Sequence, residues 1–387
     1  MEADDIIDKA STDAVDAAAI YDDNGAIRAD FLDRIFAGLN DGDAEALHAD
    51  VQGLHESEMG DLIEALEPGQ RQELVALLGD KFDFSALTEI DDTIRKDIIS
   101  ALPNKQIALA IQELDSDDAV YILEDIDVDD QAEILAAVPF IERIRLRRSL
   151  DYPDETAGRR MQADFVAVPP YWNVGQTIDY LRDNDSLPQS FSQIFVIDPT
   201  FKLVGAVDLD RILRAQRATR IEDIKRETRH AIPAEMDQEE AAQIFEQYDL
   251  LSAAVVDENE RLVGVLTIDD VVDVIQEEAE EDFKKLAGVG AEELSDSVIS
   301  TTRSRFVWLL VNLATAILAS AVIGLFDATI NQMVALAILM PIVASMGGNA
   351  GTQTMTVAVR ALATKDLDIY NSSRIIRREL LVGFING

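Results

Sequence analysis

The sequence predicts a multidomain protein of α and α+β architecture that ends in membrane-spanning helices. Three observations predict it. Apolar residues recur every 12 positions over the first third of the chain, a strand–turn–strand–helix unit occurs twice, and two uncharged runs near the C-terminal end are long enough to cross a bilayer. With 387 residues the chain has room for several domains.

Charge separates the two ends. Residues 1–300 hold 26 Lys+Arg and 70 Asp+Glu, a net charge of −44, whereas residues 301–387 carry +3. A front half this acidic does not bind nucleic acid by neutralising phosphates. It repels itself unless cations are bound. The absence of cysteine excludes disulfides and thiolate metal sites. Residues 1–24 lack a basic flank and a long apolar core, so they read as a flexible acidic tail rather than a secretory signal.

Residues 25–148 read as a helical-repeat domain. Leu54, Leu66, Leu78, Ile90, Leu102, Leu114, Ile126 and Val138 mark the 12-residue period. A second apolar residue stands three positions before most of them, for example Ile63, Val75, Ile99 and Leu123. Gly79, Asp91, Pro103, Asp115, Asp127 and Pro139 follow as breakers or caps. The pattern predicts a small solenoid of two-turn helices, a scaffold without chemistry of its own.

The next two segments, 149–222 and 223–275, are copies of one βαββα unit. "SQIFVID" and "LSAAVVD" are β-branched strands, each followed by a turn, a second strand and a helix, and Gly205 aligns with Gly264. The tandem resembles a pair of CBS domains. A helix then runs on from about Ile268 through "IDDVVDVIQEEAEEDFKKLAGV", with Val271, Val274, Ile275 and Phe283 on one side and carboxylates over the rest. Residues 276–303 form its acidic connecting part and linker, and 304–387 the membrane domain. Span one is Phe306–Phe326 and span two about Ile330–Val359, with a third beginning at "LLVGFING". Arg303 and Arg305 precede span one. Arg360, Lys365, Arg374, Arg377 and Arg378 follow span two, which predicts that the acidic front half is cytoplasmic.

"YPDETAGRRM" (Tyr152–Met161), the tandem CBS pair, the acidic helix and "PIVASMGGNAGTQT" (Pro341–Thr354) occur in one order. That order resembles the MgtE family of magnesium channels and transporters, from the solenoid to the last residue. The resemblance implies a homodimer in the lipid bilayer, with five transmembrane helices per protomer, a pore on the dimer axis and cytosolic domains that sense Mg2+. These residues carry two spans and the start of a third, so the acidic pore residue of the family's last helix is expected to fall outside them.

Residues that lipid penalises fill the middle of span two. Gly347, Gly348 and Gly351 allow backbones to approach or unwind, Pro341 frees a carbonyl, and Asn349, Thr352, Gln353 and Thr356 form one polar stripe. Mg2+ keeps its water and takes oxygen ligands, so such a stripe suits a pore for the hydrated ion. Close helix packing through small residues is the competing reading. Asn349 is the first candidate for pore lining, followed by the carbonyls near Gly347 and Gly348, then Thr352 and Gln353.

Three acidic sets are candidate metal sites: one around Asp117 and Asp118; Asp237, Glu239, Glu246 and Asp249; and Asp270, Asp273, Glu278, Glu281 and Asp282. Any one of these carboxylates also reads as solvated surface. In the family, positions matching the last two sets bind regulatory Mg2+. The implied logic is negative feedback: acidic faces repel when Mg2+ is scarce, and bound ions draw them together and close the pore. Thr267 and Asp270 form a Thr-x-x-Asp pair of the kind CBS domains use for a nucleotide, which makes ATP a second expected ligand; the first unit has Val207 and Asp210 there. His48, His55 and His230 are scattered, and no enzyme signature occurs. The expected function is therefore Mg2+ uptake across the inner membrane, gated by cytosolic Mg2+. A membrane-anchored adenine-nucleotide sensor, or a channel for Co2+, Ni2+ or Mn2+, is the alternative.

Overall fold

The computed structural model describes residues 20–184, 186–188, 190–227, 230–287, 298–363 and 369–386. Most of the expected acidic tail, residues 1–19, lies outside them. The chain divides into two units, Met1–Gln276 and Glu277–Gly387.

The first unit opens with short helices: α1 Ala29–Asp41, α2 Ala44–Val51, α3 Glu56–Ala65, α4 Pro68–Leu78, α5 Asp92–Ala101, α6 Asn104–Ala110, α7 Ser116–Glu124, α8 Val128–Ala137 and α9 Phe140–Leu150. The 12-residue period marks their joints. Leu66, Leu78, Ile90 and Val138 are buried, and Leu54, Leu102, Leu114 and Ile126 pack on the same core as Ile63, Val75, Ile99 and Leu123. Each element is too short to persist alone, so it is held by burying one face on its neighbours. One repeat departs from the pattern. Between α4 and α5 the chain makes two 3-10 turns, Gly79–Lys81 and Phe84–Leu87, where a further helix was expected. Gly79 at φ 56° stops α4, and Phe82 and Phe84 then fill the core edge to face with their centroids 5.0 Å apart.

The short helix α10, Ala157–Arg160, leads into the two α+β units. In the first, β1 Ala167–Val168 runs parallel to β2 Gln193–Ile197, which pairs antiparallel with β3 Leu203–Asp208. Helices α11 Val174–Asp183, α12 Leu209–Arg214 and α13 Ile221–Ile224 complete it. In the second, β4 Ile232–Pro233, β5 Ser252–Val256 and β6 Leu262–Thr267 repeat the arrangement around α14 Gln238–Tyr248. The registers match: Gln193 pairs with Asp208, and Ser252, 59 positions on, pairs with Thr267. The two sheets share a core of Phe195, Ala206, Ala254, Leu262 and Val265.

Helix α15, Ile268–Ala287, leaves β6 directly. Val271 and Val274 are buried, but Ile275 and Phe283 are exposed, Phe283 by 73%. The four therefore do not share one buried side as the sequence suggested: only the first two turns of the helix pack on the second α+β unit.

The second unit holds α16 Val298–Gly324, α17 Asp327–Gln332, α18 Val334–Ala363 and α19 Ile369–Asn386. Thr301–Gly324 and Ala335–Leu362 are long and apolar enough to cross a membrane. At 30 residues, α18 is about 45 Å long. It is continuous through Pro341 and the Gly347–Gly351 stretch. Of the two readings open for these glycines, close approach or unwinding, the helix takes no unwinding: glycine tolerates helical angles, and the Thr352 hydroxyl donates to the Gly348 carbonyl at 3.1 Å while that of Thr356 donates to the Thr352 carbonyl at 3.0 Å. The carbonyl at Gly348 is thus occupied within its own helix.

Candidate metal site at an acidic seam

The repeat domain meets the second α+β unit where α7 faces the start of α15. Two features of the linker bring them together. Gly158 sits where a Cβ would lie 2.8 Å from the Ala234 carbonyl oxygen and 2.7 Å from the Tyr152 ring. A glycine there lets its N–H donate to that carbonyl at 2.8 Å. Further along, the Ala163 N–H donates to the Ser116 hydroxyl at 2.6 Å and anchors the first residue of α7.

That first turn carries Asp117 and Asp118. A helix N-terminus favours negative charge, which is the local reason the sequence places them there. Opposite stands Asp270, whose carboxylate accepts from the Thr267 hydroxyl and lies 3.4 Å from the Thr267 N–H. The Asp117 and Asp270 carboxyls act on each other as like charges across the seam. The Oδ1 of Asp117 is buried with no donor, although the residue as a whole is only half-buried.

Burial and like charge act together here. Burial, then Asp270, Asp118 and Asp115, hold the Asp117 carboxyl well above the usual carboxylate range. Burial, then Asp270 and Asp115, push Asp118 up to about 7, and Glu56 and Glu89 add to it. Burial likewise raises Asp270 to about 6, with Asp269 contributing and the Thr267 hydrogen bond opposing. Asp273 is raised by burial, Glu89 and Asp269, and Arg160 pulls it back. The principal influences on Asp117, Asp118 and Asp270 include no cation. A buried like-charge pair at neutral pH must hold a proton or a metal ion. Among the described residues, no three Asp, Glu or His side chains are arranged to hold one ion. A divalent cation at the seam would have Asp117 and Asp270 as protein ligands and complete its shell with water, as Mg2+ commonly does.

The other expected ligands stand apart. Asp237 caps α14, accepting from the N–H groups of Glu239 at 3.0 Å and Glu240 at 3.4 Å. Glu239 accepts from Gln243 at 3.3 Å. Glu246 and Asp249 lie at the other end of α14, roughly 15 Å away along its axis, so the four do not converge on one ion. Asp273 is exposed, one turn beyond Asp270. Glu278, Glu281 and Asp282 lie on the part of α15 that belongs to the second unit, where Glu281 pairs with Lys285. Sequence reasoning missed Asp115, Glu56, Glu89 and Asp269. Asp115 sits in the Asp-Ser-Asp-Asp that opens α7 and was open to notice; Glu89 was not, because the Ser57 hydroxyl at 2.9 Å, from a helix start 32 residues away, is what fixes it.

In the second unit, Asn349 and Gln353 are exposed along α18. A carboxylate that the sequence reading did not single out, Glu379 of α19, accepts from the Thr354 hydroxyl at 3.2 Å.

A helical-repeat domain joined across an acidic seam to a CBS pair, and followed by apolar helices long enough to cross a membrane, is the architecture of this chain. Comparison with known families agrees segment by segment. "MgtE intracellular N domain" matches residues 54–155, "CBS domain" matches 157–218 and 221–277, and "Divalent cation transporter" matches 340–387. The chain belongs to the MgtE family. It is 27% identical over 355 residues to the magnesium transporter MgtE of Bacillus subtilis, covering 92% of this chain and 79% of that one. With the Thermus thermophilus protein of the same name it shares 28% identity, over 90% and 79%. The Enterococcus faecalis protein is 33% identical over 242 residues, 62% of this chain and 53% of that one. A solved structure, the cytosolic domain of the Mg2+ channel MgtE in complex with ATP, aligns with a TM-score of 0.57 at 25% identity, over 62% of this chain and 98% of that one. The soluble part of a magnesium transporter aligns with the same score at 26% identity, over 65% and 98%.

Proposed function

We propose that this chain serves Mg2+ uptake across the inner membrane, with its N-terminal domains in the cytoplasm, and that cytosolic Mg2+ restrains uptake by binding the acidic seam. One observation carries the regulatory part: Asp117 Oδ1 is buried without a donor, and the carboxyl that acts on it most strongly, Asp270, comes from a different domain. When Mg2+ is scarce, ionised Asp117, Asp118 and Asp270 repel and the seam loosens. When Mg2+ is abundant, an ion between α7 and α15 binds the closed arrangement more tightly than the open one and shifts the population towards it. Because α15 starts at the seam and precedes the spans in the chain, closing the seam restrains that helix. Asn349 and Gln353 line the path of the hydrated ion, and the chain works as a homodimer, as a transporter rather than an enzyme. Asp273, Glu278, Glu281 and Asp282 serve further ion contacts along α15, with Asp237, Glu239, Glu246 and Asp249 as peripheral acidic surface.

A second reading has one observation behind it. Thr267 and Asp270 are held together at the end of β6, as a CBS nucleotide site requires, and a similar cytosolic domain is described with ATP. ATP and Mg2+ would then compete for Asp270. Calorimetry on the purified chain separates them. Mg2+ binding at millimolar concentrations that is lost in Asp117→Ala supports the seam. ATP binding without Mg2+, unchanged in Asp117→Ala, supports the nucleotide sensor. Uptake assays with Co2+, Ni2+ and Mn2+ in place of Mg2+ identify the transported ion.

A further inference from the structure

Arg160 works across the acidic seam beside α7, and Arg148 of α9 pairs with Asp257 at 3.8 Å elsewhere between the same two domains. Tyr121 lies four residues after Asp117 on α7, and so on the same face. Two guanidinium groups stand over its ring, that of Arg95 at 4.1 Å from the centroid and that of Arg160 at 5.3 Å. Arg95 is fixed: it is 1% exposed and held by Asp125 at 2.6 Å and Asp92 at 2.5 Å, all within the repeat domain. Arg160 belongs to the linker and is half-buried. Its Nε donates to Oε1 of Gln238 at 3.1 Å, and Gln238 is the buried first residue of α14. Arg160 therefore touches α7 through Tyr121 and the second CBS unit through Gln238. It is also the cation that draws down the Asp273 carboxyl on α15.

Its neighbour has a different task. Arg159 pairs with Glu124 and with Asp154 at 2.9 Å, and donates to the carbonyls of Leu150 and Tyr152. Those bonds tie the linker to the repeat domain and do not reach α14 or α15. Gly158 sets both arginines in place by closing on the Ala234 carbonyl.

We propose that Arg160 is the built-in counter-cation of the acidic seam, holding α7 against the second CBS unit when metal is scarce and thereby setting the range of Mg2+ over which the seam closes. This rests on the gating reading above. A seam with no fixed cation would open fully without metal; one neutralised throughout by arginines would stay shut and ignore metal. A fixed positive charge at Arg160, beside Tyr121 and Gln238 rather than among the principal influences on Asp117 and Asp270, leaves the seam poised between these. Arg160 acts through the seam and is a positioning residue, not a ligand.

The chain has no cysteine, so Glu73→Cys and Glu258→Cys give two unique labels, one on the repeat domain and one on the second CBS unit. Distances between them are measured on the full chain in nanodiscs across a Mg2+ titration, in the Arg160 wild type, Arg160→Lys and Arg160→Met. Without Mg2+, Arg160→Met is expected to lower the closed-to-open ratio by about fivefold, the loss of one cation–π contact at a half-buried site. Arg160→Lys retains most of the closed population because the charge stays. At saturating Mg2+ all three reach the same closed distance, so the metal-driven change is largest in Arg160→Met. Three results overturn the proposal: an Arg160→Met curve that superimposes on wild type, an Arg160→Met protein that never reaches the closed distance, or Arg160→Lys behaving as Arg160→Met does. A wild type that ignores Mg2+ refutes the gating reading itself and this inference with it; a responsive wild type with superimposed variants refutes only the role of Arg160.

Discussion

Between about pH 4 and pH 8, without divalent metal, the repeat domain should become less firmly held as pH rises. Asp118, raised by burial and its acidic neighbours to about 7, binds more protons in the folded chain than in the unfolded one. Stability from such a group is present in full below its unfolded value and is lost as pH climbs through the folded one. Moving a carboxyl from 3.8 to about 7 corresponds to roughly 4 kcal/mol. Asp118 is partly exposed, so about half of that, ~2 kcal/mol, is expected in solution. The Asp117–Asp270 pair adds to the loss in the same direction, titrating as one coupled site. Carboxyls held low, such as Asp22 and Asp198, respond only in more acidic solution and leave this window alone. Pulse proteolysis in urea, read on fragments of the repeat domain, measures the effect. Asp118→Asn should flatten the pH dependence by about 2 kcal/mol, and millimolar Mg2+ should restore wild-type stability at pH 8. Stability that rises with pH across this range, or an equal slope in Asp118→Asn, would refute the account of the seam.

Replacing Asp270, Asp273, Glu278, Glu281 and Asp282 together with Ala should abolish Mg2+-dependent protease protection of the first unit; persistence of that protection would move the sensor elsewhere. Gly158→Ala should cost about 2 kcal/mol or more, because its Cβ would lie 2.8 Å from the Ala234 carbonyl oxygen, and thermal melting of the cytosolic portion reads the loss. Asn349→Leu should cut Mg2+ flux in proteoliposomes while the protein stays folded and keeps its oligomeric state; normal flux would favour helix packing as the purpose of the Gly-Gly-Asn stretch. Thr267→Val should weaken any ATP binding at least threefold by removing the hydroxyl that orients Asp270, roughly the worth of one hydrogen bond, and an unchanged affinity in calorimetry would remove this pair from a nucleotide site.

The sequence by itself determined the order and kind of the parts. Periodicity is a local property, so the 12-residue spacing of Leu66, Leu78 and Ile90 announced short helices packing on one core, and the equal layouts around Gly205 and Gly264 announced two equivalent units. Length and the absence of charge announced the spans in the same way. Where a local competitor existed, the pattern misled: Gly79 and the Phe82–Phe84 pair turn one repeat into 3-10 turns. Which carboxylates matter was decided only by tertiary structure. Asp117 and Asp237 look alike in the sequence, both acidic and both at a helix start, yet Asp237 caps its own helix whereas Asp117 has a buried oxygen without a donor and feels Asp270, 153 residues away. Burial and the convergence of charge depend on which surfaces close on each other, and no window of sequence contains that. The same holds for Arg160, one of two adjacent arginines that composition cannot tell apart. The packing of Gly158 on Ala234 aims Arg160 at Tyr121 and Gln238 and leaves Arg159 with its own domain.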